Sequence, residues 1–109
     1  MQDLLNKRWE IIKDLNEGVT NFKSRGKDKA EAERKYRVEL AKEMLILRDD
    51  KKPATILSDL ARGKEEIAQL KFIRDYAETL YESAQQYIYL KKKELDVIEG
   101  DINAVRNGR

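Results

Sequence analysis

Two acidic pairs, Asp49–Asp50 and Glu65–Glu66, flank a stretch that carries Lys51, Lys52, Arg62 and Lys64. Paired carboxylates are the donors a hard cation takes. Four basic groups at one end of a molecule are what phosphates or an acidic partner surface would meet. A second constellation, "YIYLKKK" (Tyr87–Lys93), joins aromatics to a basic triplet, the pairing used to stack and neutralise single-stranded nucleic acid. Beyond these the chain has little to do chemistry with. It has no His and no Cys, which removes the usual general base, the soft metal ligands and the thiol nucleophile. "ARGKEE" (Ala61–Glu66) places one Gly before a Lys, far short of a phosphate-binding loop. The residue types point away from an enzyme, and no metal or cofactor is expected.

Each constellation also has a plainer reading. Glu65 and Glu66 suit the positive end of a helix that begins there. Tyr87 and Tyr89 stand about 200° apart on a helix, so Tyr87 joins a core face and Tyr89 leaves it. Lys91, Lys92 and Lys93 fan out at about 100° steps and make no single patch. Lys91 and Glu94 nevertheless fall inside an apolar arc. In a hairpin turning near residues 50–56, position 91 lies opposite residues 14–18. Lys91 there pairs with Asp14 or Glu17 and fixes register, or else it snorkels past the seam.

The elements that position these groups are helices. Leu5, Trp9, Ile12, Leu15, Val19 and Phe22 recur three or four apart, and the stripe resumes in phase at Tyr36, Leu40, Met44 and Leu47. Between them "KSRGKDKAEAERK" holds Gly26, a candidate cap, and Asp28 with Glu31, a capping-box pattern. Residues 1–49 therefore form one bent helix or two nearly collinear segments broken at Gly26, and the capping signals favour two. Trp9 is expected in the core beside Ile98 or Ile102. Residues 50–64 read as a connector. Pro53 ends the first arm, Thr55 is placed to cap a short helix burying Ile56, Leu57 and Leu60, and Gly63 stops it. Residues 65–106 carry the strongest signal, an apolar arc of roughly 140° from Leu70 to Val105. At 1.5 Å per residue that helix extends about 60 Å. The expected architecture is one all-α domain: an elongated, coiled-coil-like antiparallel helical hairpin.

Charged residues make up 40% of the chain and the signs are interspersed to a net charge of +2, so no global field draws it to DNA or a membrane. No run approaches the roughly 18 apolar residues of a membrane span, and a cytoplasmic protein is expected. Two helices alone bury little surface, and the arc is wider than one partner helix covers, so self-association is expected.

The run "ATILSDLARGKEEIAQLKFIRDYAETLYESAQQYI", followed by "LKKKELDVIEGDI", resembles small helical proteins encoded by phages and prophages of Gram-positive bacteria. The resemblance spans roughly residues 30–105 and rests on the Pro53–Gly63 connector, "LARG" and "RDYAETLYESA". It implies a phage or prophage source, an accessory role in the host cytoplasm and no catalytic residues. The function expected is an oligomeric interaction module, an adaptor or inhibitor acting on a phage or host protein. The alternative is a nucleic-acid-associated factor in phage replication or recombination, using Lys51, Lys52, Arg62 and Lys64.

Overall fold

The structure, a computed structural model, describes residues 1–108. Helix α1 spans Gln2–Asp49; a 3₁₀ turn (Ala54–Ile56) and α2 (Leu57–Gly63) form the connector; α3 spans Glu65–Arg106. Among the described residues there is no strand, and the chain is an all-α helical hairpin. The expected interruption at Gly26 is absent, because α1 is continuous through it. A glycine inside a helix costs only about 1 kcal/mol against alanine. The polar stretch beyond it is held by i,i+4 pairing, with Arg37 Nε 2.6 Å from Glu33 Oε1.

The corner is built on the backbone. Lys52 N–H donates to the carbonyl of Leu47 and Lys51 N–H to that of Arg48, the paired bonds of a Schellman ending. Lys51 occupies the left-handed position this ending requires, at φ 61°, where glycine is usual. Pro53 follows with φ −57° and ψ 137°, and the 3₁₀ turn opens at Ala54. Thr55 does not cap α2: it lies within the 3₁₀ turn, Ile56 holds the cap position, and no side chain caps the helix. The buried face also differs from expectation, for Leu57 and Ala61 are inside while Ile56 and Leu60 stay largely exposed. α2 ends at Gly63, where Lys64 turns extended (ψ 134°) and its N–H reaches back to the Ala61 carbonyl.

The chain forms two compact units. The first comprises Met1–Ser24 and the chain from Tyr81 onward. Its core is Ile11, Ile98 and Ile102, walled by Leu4, Leu5, Leu15 and Leu95. Ile102 is wholly buried, worth about 1.5–3 kcal/mol for such a side chain. Phe22 stacks on Tyr81 with ring centroids 4.7 Å apart. Trp9, expected in this core, is instead 70% exposed. The buried positions in this part of α1 are Ile11 and Gly18, and Trp9 points about 160–180° round the helix from them. The second unit, Arg25–Leu80, buries Tyr36, Leu57, Ala61, Ile67 and Ala77.

Along α3 a line of sheltered positions runs Ile67, Leu70, Arg74, Ala77, Tyr81, Ala84, Ile88, Lys91, Leu95, Ile98 and Ile102 in steps of three or four, with Leu80, Glu99 and Ala104 half-buried beside it. This alternation is the heptad spacing of knobs-into-holes packing, and two of its members are cations.

Candidate functional site

At the corner, Lys51, Lys52 and Arg62 are exposed, as are Asp49, Asp50, Asp59, Glu65 and Glu66 among them. Lys64 is committed elsewhere: its Nζ donates to Glu43 Oε2 at 2.8 Å. That hydrogen bond, with the attraction of the same carboxylate, raises the Lys64 pKa above its ordinary value. The four basic groups are thus interleaved with acids, and one of them is paired. Among the described residues no group of three or more acids is placed to hold a metal ion.

The cations inside the heptad are held more closely. Lys91 Nζ donates to Glu94 Oε2 at 3.1 Å and lies 3.2 Å from Asp14 Oδ2. Of the two carboxylates considered for it, Asp14 makes the pair across to α1. Only 20% of the Lys91 side chain is exposed. The bonds to Glu94 and then Asp14 raise its pKa above the usual lysine value.

Arg74 is the equivalent in the second unit, and the residue types gave no hint of it. Its guanidinium lies 4.5 Å from the centre of the buried Tyr36 ring, 3.5 Å from Glu33 Oε2 and 3.0 Å from Asp75 Oδ1. Desolvation opposes the charge, but Asp75 and Glu33 outweigh it and the pKa is raised. The signal that finds Arg74 is a count of seven from Ile67, continued to Tyr81.

"YIYLKKK" is divided as its helical angles require. Tyr87 leans against Gly18, where an added Cβ would meet the ring at 3.1 Å. Tyr89 faces out, with Lys93 Nζ 5.0 Å from its ring centre. Close by is a groove of about 620 Å³ whose floor is Ile11, Leu90, Val97 and Ile98. Lys7, Glu10, Lys93 and Glu94 form its rim, both signs on both sides. Leu90 and Val97 are 60% and 62% exposed, and Phe72 and Tyr76 stand out from α3 to a similar degree.

Among the described residues no helix is long and apolar enough to cross a membrane. Comparison with protein-family models, with curated proteins and with solved structures finds no match.

Proposed function

We propose that this chain is a phage-type accessory protein, an oligomeric protein–protein interaction module that works as an adaptor or inhibitor in the host cytoplasm. The observation that carries the reading is the apolar surface left uncovered on α3. Phe72, Tyr76, Leu90 and Val97 are each more than half exposed, although α3 has already buried a full heptad seam. Large aromatic and aliphatic side chains in that position are anchors for a partner, since each gains on leaving water. The charged side chains beside them supply a polar rim.

The interleaved acids at the corner, with Lys64 tied to Glu43, weigh against the nucleic-acid alternative, which needs basic groups free to displace counterions. The test has two arms. Light scattering should give a mass above the 12.8 kDa of one chain at tens of micromolar. A gel shift with single- and double-stranded nucleic acid at low salt should be negative. A monomeric mass removes the oligomeric reading. A salt-dependent shift that is lost on changing Lys51, Lys52 and Arg62 to Ala restores the alternative.

A further inference from the structure

Five of the exposed apolar residues of α3 fall on one line. Ile73, Tyr76, Tyr87, Leu90 and Val97 each sit one position before a member of the buried seam, about 100° round the helix, while Phe72, Tyr89 and Val105 lie off it. From Ile73 the steps are three to Tyr76 and four to Leu80, which is half-buried; the exposed Tyr87, Leu90 and Val97 continue the same alternation. α3 thus carries two parallel heptad seams, one covered and one open except at Leu80. A helix with two seams near a right angle is the kind found in a four-helix bundle, where it touches two neighbours.

We infer that the open seam is occupied by the α3 of a second copy, running antiparallel about a two-fold axis near residue 85. The inference rests on the oligomeric reading above and names its partner. In that register Ile73 faces Val97 of the other copy, Leu80 faces Leu90, and the small Ser83 leaves room for Tyr87. Tyr76 faces Glu94, so a phenol O–H meets a carboxylate that accepts it. Each seam position thus meets a partner of matching size or polarity. The parallel arrangement fails this test, because it sets Glu94 against Glu94 and Asp101 against Asp101, like charges across a seam. Taken with their exposures, Ile73, Tyr76, Tyr87, Leu90 and Val97 present on the order of 550 Å² per copy. Two copies together reach about 1,100 Å², above the roughly 1,000 Å² that a specific interface needs.

The chain has no cysteine, so any disulfide reports only on thiols placed there. The double variant Leu80→Cys, Leu90→Cys should oxidise to a disulfide-linked dimer, since each new thiol faces the other kind across the axis. Each single variant should stay unlinked, its two thiols being about 15 Å apart along the helices. Leu90→Lys should keep the far-UV helix signal and reduce the mass of the assembly to 12.8 kDa. Linkage by either single variant, or none by the double, in a chain that still assembles overturns the antiparallel seam alone. A mass of one chain for the unaltered protein at tens of micromolar overturns both the seam and the oligomeric reading beneath it.

Discussion

At the scale of single residues, Gly18 and Lys91 are the two positions whose replacement is most informative. Gly18 leaves the space into which the Tyr87 ring folds. Alanine there gains helix propensity of about 1 kcal/mol and asks the half-exposed ring to move a few tenths of an ångström, so Gly18→Ala should be close to neutral. Gly18→Val adds branches that the ring and Ile88 cannot both clear. It should cost roughly 1–3 kcal/mol in a urea melt. An unchanged midpoint would mean the ring is not seated there. Lys91 holds a half-buried seam position, bonded to Glu94 and paired with Asp14. Lys91→Leu should raise the thermal midpoint by a few degrees while broadening the distribution of assembled masses, as polar seam residues set register rather than strength. A single unchanged mass would remove the register role. The sign of the pH effect follows from the raised pKa. The Lys91 bonds contribute fully below the ordinary lysine value of 10.5 and are lost as pH rises through the higher folded value. The stability gap between Lys91→Leu and the parent should therefore widen only in strong alkali.

Among the elements, the corner is where backbone conformation is forced on an unsuited residue. Lys51 is held left-handed by two main-chain bonds, at a cost of about 1–2 kcal/mol relative to a right-handed residue. Lys51→Gly should recover part of this, roughly 0.5–1 kcal/mol after the entropy of the freer chain, read as a higher midpoint in denaturant. The helices were legible because apolar spacing outlasts local breakers: the arc over residues 65–106 and the stop at Pro53 both follow from side-chain type. Gly26 misled because a capping signal is local, whereas continuity of α1 is settled by pairing such as Glu33 with Arg37. Trp9 misled for another reason. An arc counted at 3.6 residues per turn is wide enough to take in two faces, and only a seven-residue count separates the face that is covered. That count also brings in Arg74, which a search for apolar types passes over. Gly18 was invisible to both, since a missing side chain shows its use only against the ring that fills the space.

For the whole molecule, the proposed antiparallel pairing of α3 would rest on shape and apolar matching, with charge deciding orientation, since the net charge is only +2. The pairs that join the two long helices also have an order in time. Lys64 meets Glu43 across a separation of 21 residues, whereas Arg8 meets Glu99 across roughly 90. Closing the longer loop in an unfolded chain costs about 1.3 kcal/mol more, so contacts near the corner form first and each shortens the loop left for the next. Substitutions that break Lys64–Glu43 should slow folding, and those that break Arg8–Glu99 should mainly speed unfolding, a contrast visible in the two arms of a chevron plot. The corner Schellman turn is then more than the place where one helix stops. It is where a nascent chain, still missing its last residues, can already begin to zip.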